Sequence, residues 1–234
     1  MPLEALIFDV DGTLAETEEL HRQAFNDTFA DQGIGWTWSR ADYRRLLLTT
    51  GGKERIARHM ADLGLDPASL DIPALHRAKT DRYSALMAAG GLALRDSIAD
   101  LIQEARSAGL RVAIATTTSR PNVDALCAAT FGLPPEAIFS AIACGDEVAA
   151  KKPSPEIYDL ALERLHVTPS QAVAFEDSTN GLRSALAAGL PCIVTPSVYT
   201  AGDDFSGALA VVDSVADLGG IDGIVRLICA DQPA

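Results

Sequence analysis

From Ser97 to Cys229, short apolar runs alternate with amphipathic helical stretches, and no other feature of the 234-residue chain constrains its fold as much. The apolar runs are Arg111 to Ala115 (RVAIA), Ala137 to Ala143, Ala172 to Phe175 (AVAF), Cys192 to Val194 and Ala210 to Val212. Between them the spacing predicts helices over Ser97 to Ala108 (capped by Ser97 or Asp96, stopped by Gly109), Pro121 to Phe131, Pro155 to Leu165 and Thr179 to Ala188. A last helix is expected from about Val215 to Cys229. Strands alternating with helices demand a parallel sheet covered on both faces, with right-handed crossovers. Leu3 to Phe8 is one more apolar run and joins the same sheet.

After that first strand the pattern changes. Thr17 to Ala89 holds helical periodicity and no convincing strand. His21 to Phe29 lies in a helix that stops near Gly33; Ala41 to Leu48, Lys53 to Leu63 and Pro73 to Met87 make three more. Short connections between four helices suggest a small bundle. The expected architecture is therefore α/β: a Rossmann-like parallel-sheet core from residues 1–15 and 90–234, interrupted by a four-helix bundle over residues 16–89.

Composition narrows the class. With 48% hydrophobic and 22% charged residues the chain can bury an ordinary core. No apolar stretch has the length of a membrane span, and the first residues lack a signal peptide's basic start. Cys127, Cys144, Cys192 and Cys229 are scattered, with no C-x-x-C pair, as in a cytoplasmic protein with reduced thiols. A net charge of -13 argues against nucleic acid as a partner, and nothing points to a membrane or an obligate protein partner. One window departs from that balance: Arg40 to Arg58 carries six basic residues against Asp42 and Glu54. Such an island is either a solvated helix face or a site for an anionic substrate.

In a parallel sheet, ligands bind beyond the carboxyl ends of the strands. The first strand ends in Asp9 and Asp11, a close pair of carboxylates that calls for a cation or a proton relay. RVAIA runs into Thr116, Thr117, Thr118 and Ser119; Lys151-Lys152-Pro153 precedes a helix; AVAF ends in Glu176-Asp177-Ser178. Each piece alone has a plain structural reading, as turn, helix cap or solvated surface. Together they carry what phosphoryl transfer needs. Carboxylates such as Asp9 and Asp177 hold Mg²⁺, and a carboxylate can attack phosphorus. Hydroxyls, backbone N–H groups and a lysine neutralise the transferred oxygens, and a second aspartate can protonate the leaving oxygen. The spacing excludes an EF-hand, a nucleotide P-loop, a G-x-S-x-G elbow and a zinc H-E-x-x-H site. Of the four histidines, His21 stands just after the aspartate loop.

These residues, in order, resemble the haloacid dehalogenase superfamily of phosphatases and mutases: DVDGT from Asp9 to Thr13, the hydroxyl-ended strand at Thr116, Lys152-Pro153 and Glu176-Asp177. The resemblance implies Asp9 as nucleophile, Asp11 as general acid and base, and Thr116 and Lys152 as phosphate-binding residues. It implies magnesium held by Asp9, Asp177 and the Asp11 carbonyl, with Glu176 beside it. The second aspartate favours phosphate chemistry over dehalogenation. The helical insertion is similar to the small cap of one subfamily, which includes β-phosphoglucomutase and many sugar phosphatases.

Within it, DVDGTLAETEELH (Asp9 to His21), Tyr43, LLLTTGGKERIARH (Leu46 to His59), ATTTS (Ala115 to Ser119) and KKPSPEIY (Lys151 to Tyr158) look like the CbbY type of xylulose-1,5-bisphosphate phosphatase. That substrate is a misfire product and inhibitor of the carbon-fixing enzyme Rubisco. A bisphosphate needs a second anion site, for which Lys53 and Arg55 beside Gly51-Gly52 are expected; Glu16, His21 and Tyr43 are expected to read sugar hydroxyls, and Thr117 and Thr118 to join Thr116 on the substrate. A β-phosphoglucomutase would use the same Asp9, Asp11 and magnesium but return the phosphoryl group to a hexose; its arginine in place of Lys53 and aspartate near Arg55 weigh against it. A receiver-like phospho-aspartate module has neither the insertion nor the second acid.

Overall fold

A computed structural model describes residues 2–231, so the expected core limits at residues 1 and 234 lie outside the described residues. Six strands form one parallel sheet: β1 (Ala5–Phe8), β2 (Arg111–Ala115), β3 (Ala141–Ala143), β4 (Ala172–Glu176), β5 (Cys192–Val194) and β6 (Ala210–Val211), in the order β3-β2-β1-β4-β5-β6. β1 lies between β2 and β4, where the winding direction reverses. That reversal opens a crevice at the carboxyl ends of the strands.

Alternation of side chains within the strands builds two cores. Leu6, Phe8, Val112, Ile114, Val173, Phe175 and Ile193 point to one face and are buried among the helices there. Ala5, Ile7, Ala113, Ala115, Ala172, Ala174 and Val194 point to the other. The small residues on this second face let α7 (Glu156–Leu165) and α8 (Thr179–Ala187) come close, and Ile157, Tyr158, Leu162 and Leu182 fill the gap. Each fully buried Ile, Leu or Phe stabilises the sheet by about 1.5–3 kcal/mol.

Between β1 and α5 (Ile98–Ser107) the chain makes α1 (Glu18–Asp31), α2 (Arg40–Leu47), α3 (Gly52–Asp62) and α4 (Ile72–Ala88). These four helices share an apolar cluster of their own, Phe25, Phe29, Trp38, Tyr43, Leu46, Ile56, Met60 and Leu75. Capping marks their ends: Ser39 and Asp42 form a capping box on α2, and Asp71 accepts from the Ala74 N–H on α4. α4 also packs on α6 (Arg120–Phe131) of the core, so the insertion is docked there rather than hanging free. Its two linkers meet in an antiparallel bridge between Ala15 and Leu94, and the Arg95 N–H donates to the Leu14 carbonyl at 2.8 Å.

Three expected elements differ. The run Ala137 to Ala143 is a strand only from Ala141; Pro134 and Pro135 start a 3₁₀ turn whose carbonyls take the Ala137, Ile138 and Phe139 N–H groups. The final helix breaks in two, a 3₁₀ turn over Val215–Leu218 and α9 (Gly220–Asp231), because Gly219 and Gly220 both have positive φ. Ser97 occupies the cap position of α5 in a left-handed conformation, with no side-chain cap bond. No helix among the described residues is long and apolar enough to cross a membrane.

Candidate active site

The carboxyl ends of β1, β2 and β4 and the insertion enclose a cavity of about 750 Å³. At its floor lies Lys152, which the loop before α7 carries under β1. Its Nζ donates to Asp9 Oδ1 at 2.6 Å, Glu176 Oε1 at 2.6 Å and the Ala115 carbonyl at 2.8 Å. Tyr158, one turn into α7, donates to the same Glu176 oxygen at 2.7 Å. All of these side chains are buried. Burial opposes the charge of Lys152, but the two carboxylates beside it prevail and hold it above the ordinary lysine range.

Asp9, Glu176 and Asp177 each present an oxygen, and the three oxygens lie within 4.8 Å of one another. Burial pushes the Asp9 carboxyl up to about 7 against the pull of Lys152, with Glu176 and Asp11 adding to the rise. Asp177 is raised well above the carboxylate range by burial and by Asp9 and Glu176. One lysine therefore does not neutralise the cluster, and its donors are all hard oxygens. A divalent cation of the magnesium or manganese class fits that set. Gly12 (φ 87°) makes the arrangement possible, because a Cβ there would strike the Asp177 carboxylate; Gly181 does the same service for Glu176.

Asp11 belongs to a second network. Thr17 Oγ1 donates to Asp11 Oδ1 at 2.5 Å, and His21 Nε2 lies 2.9 Å from the same oxygen. Lys79 Nζ, from α4, is 2.5 Å from His21 Nδ1, and the His21 ring stacks on Tyr83 with centroids 4.0 Å apart. Burial raises the proton affinity of Asp11, yet His21 and Thr17 overcome it and hold the carboxyl well below the usual range. Burial, reinforced by Lys79, keeps His21 low, and burial brings Lys79 down to about 7. With His21 neutral, Lys79 donates to Nδ1 and Nε2–H faces Asp11.

Away from the carboxylates the insertion supplies the wall. Arg55 is buried, donates from Nη1 to the Tyr43 hydroxyl at 2.8 Å, and lies over that ring at 5.0 Å. Its buried Nε has no hydrogen-bond partner. Tyr43 in turn donates to Glu18 Oε2 at 2.7 Å. On the core side, Ser119 and Asn122 line the same cavity, and Ser119 Oγ and Asn122 Oδ1 are likewise buried without partners. Buried polar atoms left unmatched are costly, and three of them belong to residues that line this one cavity.

The cavity wall includes Asp9, Asp11, His21, Gly51, Gly52, Arg55, Thr117, Thr118, Lys152 and Asp177, all expected from the sequence. Glu176 lies buried behind them. Four expected residues are placed elsewhere. Thr116 is buried behind the wall, where its Oγ1 accepts from the Thr118 N–H at 3.2 Å. Tyr43 is fully enclosed in the insertion's aromatic cluster, so it reaches the cavity only through Arg55 and Glu18. Glu16 turns away to Arg95 at 3.6 Å and the Val198 N–H at 3.4 Å. Lys53 is half-exposed and paired with Asp146 Oδ1 at 2.8 Å across the cleft. The basic island thus contributes Arg55, Arg44 and Arg45 to the wall rather than Lys53.

Sequence reasoning passed over Glu18, whose place beside Glu19 in a first turn reads as helix-dipole complement. It also passed over Lys79, which no local spacing links to His21, 58 residues earlier. The segment after β5 borders the cavity with Tyr199, Thr200 and Asp203, and Arg44 donates to the Ala201 carbonyl at 2.9 Å.

Comparison with known proteins adds to this geometry. The haloacid dehalogenase-like hydrolase family matches residues 3–189. The protein CbbY of Cereibacter sphaeroides is 62% identical over 222 residues, covering 95% of this chain and 96% of that one. A crystal structure of CbbY from Rhodobacter sphaeroides in complex with phosphate superposes with a TM-score of 0.93 at 61% identity, over 95% of this chain and 99% of that one. A variant of that protein was crystallised with xylulose-(1,5)bisphosphate and superposes at 0.92 with 62% identity, over 94% of this chain and 98% of that one. The chain therefore belongs to the haloacid dehalogenase-like hydrolases, a generally metal-dependent superfamily, as one of its phosphatases.

Proposed function

We propose that the protein is a Mg²⁺-dependent phosphatase that converts xylulose-1,5-bisphosphate to xylulose 5-phosphate and inorganic phosphate through an aspartyl phosphate on Asp9. The observation that carries this reading is one cavity lined by Asp9 and Lys152 from the core and by the buried guanidinium of Arg55 from the insertion. A bisphosphate offers one anion to each. The bisphosphate-bound relative at 62% identity supports the same choice.

In the first step an Asp9 carboxylate oxygen attacks the phosphorus of the C1 phosphate, and the bond from phosphorus to the sugar oxygen breaks. Asp11 gives that oxygen its proton. The incoming phosphate raises the proton affinity of Asp11, and His21 Nε2–H, backed by Lys79, is the adjacent proton source. In the second step water attacks the same phosphorus, Asp11 takes the proton, and the bond to Asp9 breaks, which restores the carboxylate. Lys152, Thr117 and Thr118 hold the transferred oxygens throughout, with Thr116 bracing their turn from behind. Asp9 and Asp177, with the Asp11 carbonyl and Glu176 beside them, would hold Mg²⁺, whose positive charge would let two anions meet. Residues 16–89 act as the cap: they exclude water and select the sugar through Arg55 and Glu18.

A substrate panel with Mg²⁺ tests the assignment. Phosphate release from xylulose-1,5-bisphosphate is expected to exceed release from sugar monophosphates by orders of magnitude. Conversion of β-glucose 1-phosphate to the 6-phosphate at a comparable rate would show a mutase instead.

A further inference from the structure

Arg95 follows Leu94, where the chain returning from the insertion bridges Ala15, and its side chain reaches under the catalytic loop rather than into the cavity. Nη1 donates to the Gly12 carbonyl and to the Thr195 carbonyl at 2.7 Å, and Nη2 donates to the Pro196 carbonyl at 2.9 Å. Nε lies 3.6 Å from Glu16 Oε1, on the outgoing linker of the insertion. One planar fork therefore fastens three pieces of chain: the turn that follows Asp11, the loop after β5, and the hinge.

The two loops it joins face each other at the acidic cluster. Gly12 is wedged so tightly that an added Cβ would meet Asp177 and Ser197. The loop after β5 holds the other side of Asp177: Thr200 Oγ1 donates to the Asp177 carbonyl at 2.6 Å and itself accepts from the Ser197 N–H at 2.9 Å. Without a tie, the carbonyls of Gly12, Thr195 and Pro196 would point at one another with no donor between them. A guanidinium serves three carbonyls in two directions at once, whereas a lysine ammonium is a compact point donor.

We infer that Arg95 is a positioning residue for phosphoryl transfer: it sets the spacing between the Asp9–Asp11 loop and Asp177, and anchors that spacing to the cap hinge through Glu16. Arg95 does not line the large cavity, and neither does Glu16, the residue expected to read sugar hydroxyls that Arg95 meets at 3.6 Å. It lines a separate small cavity of about 230 Å³ with Thr13, Asp96, Thr195, Asp213 and Ser214. That opening gives a small cation access to the place of its head group. The inference rests on the metal-dependent phosphatase reading of the neighbouring site.

The test compares Arg95→Lys and Arg95→Ala in the full chain with saturating Mg²⁺, using xylulose-1,5-bisphosphate and p-nitrophenyl phosphate. Misplacement of reacting groups by about 1 Å costs on the order of 100-fold, so kcat of Arg95→Lys should fall ~10–100-fold on both substrates while KM stays within about threefold. Millimolar guanidinium should restore kcat of Arg95→Ala at least about tenfold, and methylammonium should not, since only the former reproduces the fork. Unchanged kcat per folded molecule with a lowered Tm alone would overturn the inference, as would failure of guanidinium to restore a folded Arg95→Ala. If Arg95→Ala does not fold, the kcat and KM of Arg95→Lys decide. If the wild type cleaves p-nitrophenyl phosphate but not the bisphosphate, the substrate assignment fails and the Arg95 test stands.

Discussion

Asp9 and Lys152, 143 residues apart in the chain, meet at 2.6 Å under the end of β1, and both are buried. The pair holds the proposed nucleophile and its charge partner in one place before any substrate arrives. Lys152→Met should therefore abolish phosphate release and also weaken the fold. Removing one member of a buried ion pair costs about 3–5 kcal/mol, because the partner is left charged without compensation. Urea unfolding with and without Mg²⁺ measures the loss, and added metal should recover part of it.

Arg55→Met keeps the stem of the side chain and removes its head. It should lower kcat/KM for the bisphosphate by about 100-fold, the value of a desolvated charge contact, and change a small monophosphate by no more than about threefold. Lys53→Ala should change both by about threefold or less, since its partner Asp146 makes an exposed pair of small worth. Steady-state kinetics on the two substrates separates these outcomes.

Tyr158→Phe deletes one hydroxyl from Glu176 and nothing from the cavity wall. The metal site should lose about 10-fold in affinity, in line with other outer-shell partners. Calorimetric titration with Mg²⁺ reads this directly, and the protein should stay folded because the ring still fills its place against Leu162 and Leu182.

Lys79 predicts a pH dependence. Its ordinary value is 10.5 and burial brings it to about 7 in the folded chain. Between those values the unfolded chain holds the extra proton, so stability rises with pH across that window and is lost as the pH falls from 10.5 to about 7, below which it levels off. The slope is at most about 1.4 kcal/mol per pH unit. Lys79→Met should flatten the rise in unfolding free energy between pH 7 and 9; equal slopes in both proteins would count against the buried lysine.

The sequence carried the fold well because alternation and stop signals are local. The apolar runs around Ile7, Ile114 and Val173 announce buried parallel strands without reference to anything distant. The misread stretch, Ala137 to Ala143, is apolar for another reason: Ile138 and Phe139 fill the core from a proline-started turn. In the site, Asp9, Asp11, Lys152 and Asp177 were legible because each ends a strand or opens a loop at the sheet edge. The residues that reach the cavity from the insertion were not. Lys53 and Arg55 are neighbours of equal charge in sequence, yet helical geometry sends one to the rim and the other inward. Glu16 and Glu18 divide in the same way, one to the hinge and one to the cavity wall. Arg95 has no motif at all, since its partners are backbone carbonyls.

The most direct measurement is ³¹P NMR of xylulose-1,5-bisphosphate incubated with the enzyme and Mg²⁺. The account predicts loss of the C1 phosphate resonance, retention of the C5 phosphate and growth of inorganic phosphate, with no change under Asp9→Asn. Persistence of both sugar phosphate resonances with the active wild-type protein, or turnover that survives Asp9→Asn, would contradict it.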